Sequence, residues 1–115
     1  GIPDEAGIMK DVVRTYGATK SIIGICLGHQ GIAEVYGAQL FNIPKVLHGV
    51  TSMTTVVDND EILFKGVSRV FQATHYHSWA VVKESFTPDI KVTAVNSEGL
   101  VMALSHVKYD VKGVQ

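Results

Sequence analysis

Two hydrophobic periods run along this chain, and the change from one to the other divides it. Ile8, Met9, Val12, Val13 and Tyr16 fall at steps of one, three, one and three. That is the apolar stripe of an amphipathic helix. Pro3, Asp4 and Glu5 suit its start, since proline fits a first turn and acids face the positive end of the helix dipole. Gly17 is placed to end it. Residues 21–26 then form a short, almost continuously apolar run. A run of this length between turn signals predicts a strand buried on both faces, as in a parallel sheet. Helical spacing resumes at Ile32, Ala33, Val35 and Tyr36 and stops at Gly37. Helix, strand and helix in succession predict α/β layering.

The remainder reads as β. Residues 51–57 are rich in threonine and valine, and Asp58-Asn59-Asp60 forms a polar turn. Residues 70–82 carry aromatic and β-branched side chains, and residues 90–95 alternate apolar with polar. Ser97-Glu98-Gly99 predicts a hairpin turn, with residues 100–107 as the return strand. Residues 111–115 start another strand. No repeat, low-complexity tract or linker interrupts the chain, so residues 1–115 read as a single domain. The expected fold is α/β: a three-layer arrangement with a mostly parallel central sheet flanked by helices, and an antiparallel extension near residues 70–107.

Composition narrows the partners. A length of 115 residues is about one domain. Ten basic against eleven acidic side chains leave a net charge of −1, with no excess to meet a phosphate backbone, so nucleic acid is not an expected partner. The longest apolar run, residues 22–28, is far short of the about 20 residues of a membrane helix, so no membrane partner is expected either. The lone Cys26 has no second cysteine to pair with, which fits a reducing, cytoplasmic setting. The chain opens on Gly1 and stops at Gln115 directly after an apolar stretch. It is expected to be an internal piece of a longer domain, incomplete at both ends.

One stretch carries chemistry. Gly24-Ile25-Cys26-Leu27-Gly28 lies between the predicted strand and the helix after it. This is the G-x-nucleophile-x-G spacing of a nucleophile elbow, with cysteine where serine is common. A sharp strand-to-helix turn pushes the nucleophile out of the sheet, and side chains two positions either side would collide in it. The following helix aims its free amides at the sulfur, which favours the thiolate, the reactive form. The Leu27 amide is placed to donate to a developing oxyanion. Gln30 shares a face with the sulfur one turn along. The bland alternative is a buried cysteine acting as a small hydrophobe.

The run Gly24-Ile25-Cys26-Leu27-Gly28-His29-Gln30-Gly31 resembles the nucleophile motif of class I, triad-type glutamine amidotransferases. Residues 1–7 resemble the stretch after the family's glycine-proline-glycine oxyanion loop, with Gly1 as its last glycine. His48-Gly49 with Thr51-Ser52, Tyr76-His77-Ser78, and Lys112-Gly113-Val114-Gln115 match further family segments in order. The resemblance covers essentially the whole chain and is greatest to the glutaminase component of anthranilate synthase and of aminodeoxychorismate synthase. It departs at Val50, where many relatives have lysine, and at His75, where many have arginine. The family's histidine and glutamate stand just beyond the Gly-Val-Gln segment that ends here.

The resemblance implies a flavodoxin-like fold and a thiol mechanism. Cys26 would attack the side-chain amide of L-glutamine, and the Leu27 amide with a loop glycine amide would hold the oxyanion. Gly1, Leu27, Gln30, Ser78 and Trp79 would form the substrate site. Ammonia would pass to a chorismate-binding synthase subunit for anthranilate formation in tryptophan biosynthesis, or for aminodeoxychorismate in folate biosynthesis. No cofactor and no metal is implied. Two rivals remain: a non-catalytic docking segment on a synthase, and a cysteine hydrolase using the same elbow on esters or peptides.

Other residues have ordinary readings. His75 and His77 face one side of a strand and make half a metal site at most. His29 reads as a hydrogen-bonding residue of the helix start, and His48 and His106 as satisfied loop or strand residues. Trp79 reads as core or pocket wall. Residues 58–61 are a solvated turn without calcium-loop spacing.

Overall fold

The computed structural model of the chain describes residues 7–115, apart from the side chains of residues 44–48. Gly1, the helix start expected at residues 3–5 and the side chain of His48 therefore lie outside the described residues. The elements in order are α1 (Met9–Tyr16), β1 (Ile22–Ile25), α2 (Leu27–Val35), β2 (Leu40–Val56), β3 (Val70–Val81), β4 (Ile90–Asn96), β5 (Val101–His106) and β6 (Val111–Val114). Short 3-10 turns at Ile62–Phe64 and Lys83–Ser85 precede β3 and β4.

The strands form one six-stranded sheet in the order β1-β6-β5-β4-β2-β3. The α/β class read from the sequence is the one the chain adopts. Parallel pairing joins β1 to β6, with Ile25 opposite Val114. The other pairings among the described residues are antiparallel. The antiparallel part starts earlier than residue 70, at Leu40. The reason is local: β2 changes register between Asn42 and Leu47 and again between His48 and Val50. Gly49 sits there at φ +74°. Such irregularities interrupt the period of two that marks a strand in sequence.

Helices cover one face of the sheet. Val13 of α1 and Ile32 and Ala33 of α2 pack with Val81, Ile90, Val101, Leu104 and Val111 into the main core. Lys112 lies between Val111 and Gly113 on β6, so its side chain takes the opposite face. There its ammonium meets the Glu61 carboxylate at 2.7 Å, both being largely buried. Beside that pair, Phe64 packs on Ala94, Met102 and Ala103. β5 is thus buried along its whole length.

β1 corrects one expectation. It stands at the edge of the sheet, and Ile23 and Ile25 are 56% and 69% exposed. Only its other face, with Ile22 and Gly24, meets α2. The continuous apolar run thus marks a strand buried on one face among the described residues. The hairpin turn falls where the sequence puts it. The Asn96 side-chain oxygen accepts from the amides of Glu98 and Leu100, and Gly99 takes φ +81°. Among the described residues no helix is long and apolar enough to cross a membrane.

Candidate active site

β1 ends at Ile25 and α2 begins at Leu27, so Cys26 alone makes the turn between them. Its backbone sits at φ 55°, ψ −104°. It is the one non-glycine residue at positive φ among those described. A side chain held in so sparsely populated a region costs about 1–3 kcal/mol, tolerated where the surroundings over-determine it. Two hydrogen bonds do that here. The Cys26 amide donates to the Val114 carbonyl at 2.8 Å, and the Gln30 amide donates to the Cys26 carbonyl at 3.1 Å. Cys26 is half-buried. The Leu27 amide, first of α2, has no acceptor within its own helix.

The flanking glycines are not equivalent. A Cβ on Gly24 would lie 2.5 Å from the Gly28 carbonyl carbon and 2.6 Å from Ile32 Cδ1. A Cβ on Gly28 would meet only Met9 Sδ, at 3.9 Å. The close approach expected of both glycines therefore constrains Gly24, against which the Gly28 backbone rests.

Polar contacts then run from the sulfur across the sheet. Gln115 donates through Nε2 to Cys26 Sγ at 3.6 Å. Gln30 Nε2 donates to Gln115 Oε1 at 3.1 Å and to the Trp79 carbonyl at 3.0 Å. Cys26, Leu27, Gln30 and Trp79, all singled out in the sequence, thus come together. Ser78, half-buried, adjoins them on β3. Gln30 lies within reach of the sulfur through Gln115 rather than directly. The Gln30 Oε1 atom is buried and has no hydrogen-bond partner. An acceptor left so typically costs about 1–3 kcal/mol, which a donor on a bound molecule would recover.

Gln115 and the two histidines behind Trp79 were not read from the sequence as parts of this cluster. Gln115 reaches Cys26 only because β6 pairs with β1 in this register, a pairing invisible before the sheet is known. The histidines did leave a signal, their spacing of two on a strand. Their rings hydrogen-bond to each other, His75 Nδ1 to His77 Nε2, at 2.9 Å.

His29 corrects another expectation. It is fully buried behind the elbow with its ring against the Gly113 backbone, and neither ring nitrogen makes a hydrogen bond of full geometry. Burial pushes its pKa down to about 4, with nearby His77 adding to the effect and the Gly113 backbone opposing it. Burial likewise lowers the pKa of His75 and of His106. His106 keeps its satisfied-ring reading, since Nδ1 accepts from the amides of Lys108 and Tyr109.

A pH dependence of stability follows. An unfolded histidine titrates near 6.5. Between 6.5 and 4 the unfolded chain therefore holds more protons than the folded one, so stability falls as pH falls across that window. Well above 6.5 these groups are neutral in both states and exert no such pull. His29 alone accounts for a loss on the order of 3 kcal/mol between pH 7.5 and pH 4. Urea midpoints at pH 7.5, 6 and 5 should fall in that order, and His29→Asn should flatten the trend. Midpoints that stay level in the parent chain would contradict it.

The chain resembles known proteins along its whole length. The family model described as glutamine amidotransferase class-I matches residues 1–115. The chain is 40% identical over 113 residues to aminodeoxychorismate synthase component 2 of Escherichia coli (strain K12), covering 98% of this chain and 59% of that protein. It is 34% identical over 116 residues to anthranilate synthase component 2 of Cyanophora paradoxa, covering 100% of this chain and 60% of that one. The chain thus spans about 60% of the length of these relatives. Among solved structures, a glutamine amidotransferase from Thermotoga maritima superposes with a TM-score of 0.73 at 15% identity, over 97% of this chain and 45% of that one, a likeness of fold.

Proposed function

The chain belongs to the class-I glutamine amidotransferase family, and we propose that within its full protein it hydrolyses L-glutamine through Cys26. The observation that carries this reading is the strained Cys26 at the start of α2, beside a buried and unpartnered Gln30 Oε1. A strained cysteine linked through Gln115 to a residue with an unfilled acceptor suits a site for a small polar substrate.

The chemistry proceeds in two steps. The Cys26 thiolate attacks the side-chain amide carbon of glutamine, and the carbonyl oxygen takes the charge. The Leu27 amide donates to that oxygen, and a second amide, by family resemblance that of a glycine in the glycine-proline-glycine loop, completes the pair. Collapse breaks the C–N bond, and ammonia leaves with a proton from a general acid. The family resemblance places that acid beyond Gln115, as a histidine held by a glutamate. Water then attacks the glutamyl thioester, releasing glutamate and regenerating the thiol. Gln30 Oε1 accepts an N–H from the substrate, and the Ser78–Trp79 segment holds its backbone end. Gln115, which caps the sulfur at 3.6 Å, swings aside as the substrate enters.

The relatives named above are second components of synthases. The partner we infer is therefore a chorismate-binding first component, to which ammonia is passed, with both proteins in the cytoplasm. The named relatives divide between anthranilate and aminodeoxychorismate formation, so the acceptor is decided by product. Glutamine-dependent amination of chorismate with each first component yields 2-aminobenzoate in one case and aminodeoxychorismate in the other.

The nucleophile is tested by covalent labelling. The longest polypeptide encoded by the gene, and the 115-residue chain beside it, are treated with a diazo-ketone analogue of glutamine and mapped by mass spectrometry. Labelling of the longer protein at Cys26, prevented by glutamine, is the expected result. Absence of label in both would leave the docking-segment reading. Label that esters or peptides prevent and glutamine does not would favour the hydrolase.

A further inference from the structure

Behind Trp79 lies a hydrogen-bond chain that the glutaminase chemistry does not itself call for. His77 Nδ1 meets the Trp79 carbonyl at 2.8 Å, and His75 Nδ1 meets His77 Nε2 at 2.9 Å. His75 Nε2 meets the Ser52 hydroxyl, and Asn96 Nδ2 donates to that same hydroxyl at 3.4 Å. Both histidines are at least nine-tenths buried, with 3% and 7% exposure.

The direction of the chain is dictated by its ends. A carbonyl oxygen only accepts, so His77 must carry its proton on Nδ1. A neutral His77 then offers a lone pair at Nε2, so His75 must donate from its own Nδ1. His75 Nε2 is left as an acceptor, which the Ser52 O–H fills while its oxygen accepts from Asn96. Every link runs the same way, from β4 and β2 toward Trp79. Each ring holds the tautomer its neighbour requires, and reversing one link reverses the next.

We propose that His75 is a positioning residue for glutamine, acting through His77 on the Trp79 carbonyl. This rests on the reading that residues 78–79 hold the substrate. His77 and Trp79 straddle Ser78, so the bond between them fixes the local backbone on both sides of it. The Trp79 carbonyl also accepts from Gln30, which ties the same clamp to the residue whose Oε1 stands open. His75 donates to His77 and so holds that ring in the one orientation that reaches the carbonyl. A side chain without the donor frees His77 to turn, and the binding segment loosens. The nucleophile and the Leu27 amide, anchored on β1 and α2, are untouched.

Two variants of nearly equal shape isolate the donor. His75→Asn places an amide N–H near where Nδ1 stands, and His75→Leu places a methyl there. In the full-length protein, His75→Leu should raise KM for glutamine about tenfold or more while kcat stays within about threefold. His75→Asn should keep KM within about threefold of the parent. Equal KM values for the two variants, or a loss confined to kcat, would overturn the proposal. The tautomers give a readout independent of turnover. Long-range 15N–1H spectra of the unaltered protein should show His75 and His77 both protonated at Nδ1. Protonation of either at Nε2 would overturn the chain. If both tautomers are found and the protein does not hydrolyse glutamine, the functional reading falls and the oriented chain stands.

Discussion

Replacing Cys26 with alanine or serine should reduce glutamine hydrolysis by the full-length protein by roughly 10⁴-fold or more, the scale of loss when a covalent nucleophile is removed. Serine is included because it keeps size and a hydroxyl but lacks a thiolate. A serine variant within tenfold of the parent would refute a thioester route. The same position should behave in the opposite sense for stability. Cys26 sits at φ 55°, ψ −104°. That is close to the mirror image of an extended conformation, which glycine enters freely and other residues do not. Cys26→Gly should therefore be as inactive as Cys26→Ala yet more stable than it by about 1 kcal/mol, the relieved strain exceeding glycine's entropic cost. Denaturation of the two variants side by side decides this. A glycine variant less stable than the alanine variant would mean the turn is relaxed, and the elbow would lose its stored strain.

Gly24→Ala should be strongly damaging. The new methyl carbon would stand 2.5 Å from the Gly28 carbonyl carbon and 2.6 Å from its oxygen. Backbone atoms cannot swing aside as a flexible side chain can, so either β1 or the first turn of α2 must move. Overpacking of this kind costs about 1–3 kcal/mol, occasionally more, and rigid backbone neighbours put this case at the upper end. Any relaxation that accommodates the methyl also displaces the sulfur, since Cys26 joins the two elements. Activity should fall together with stability, with both read from urea midpoints and glutamine turnover. Gly28→Ala is the control, because its Cβ finds only Met9 Sδ at 3.9 Å and alanine favours the helix. Its midpoint should stay within about 1 kcal/mol of the parent. A Gly24→Ala variant as stable as the parent, or less affected than Gly28→Ala, would contradict the packing assignment.

How much of this was open to reading before the sheet was known differs from residue to residue. The elbow was legible because its signature is local: an apolar run, two glycines and a resumption of helical spacing fix the turn within a few residues. α1, α2 and β4 were legible for the same reason, their periodicity being intact. β2 was legible only in its last third, because its register changes before residue 51 destroy the alternation that marks a strand. The exposure of Ile23 and Ile25 was not legible at all. An apolar run says that a strand prefers cover, and only the sheet order says whether it has any. Gln115 was missed because its contact with Cys26 depends on a pairing between the two ends of the described chain. His29 was misread because a histidine next to a nucleophile suggests hydrogen bonding, whereas burial on Gly113 makes it a neutral packing residue. His75 and His77 were seen as a pair facing one side. The chain through them to Trp79 needed the positions of Ser52 and Asn96 on neighbouring strands.

The contact between Cys26 and Gln115 spans 89 residues of sequence. The Cys26 amide is likewise held by Val114, at the far end of the same parallel pair. Contacts this distant in sequence are the last to be rewarded, since the loop between must close first. During synthesis at roughly 5–20 residues per second, about 4–18 seconds separate the appearance of the cysteine from that of its anchor. The Cys26 turn gains its hydrogen bond to Val114 only when β6 pairs with β1. The strained turn is thus completed late, after the antiparallel strands between have been made, and an unfinished chain carries a cysteine without the Val114 anchor that holds it.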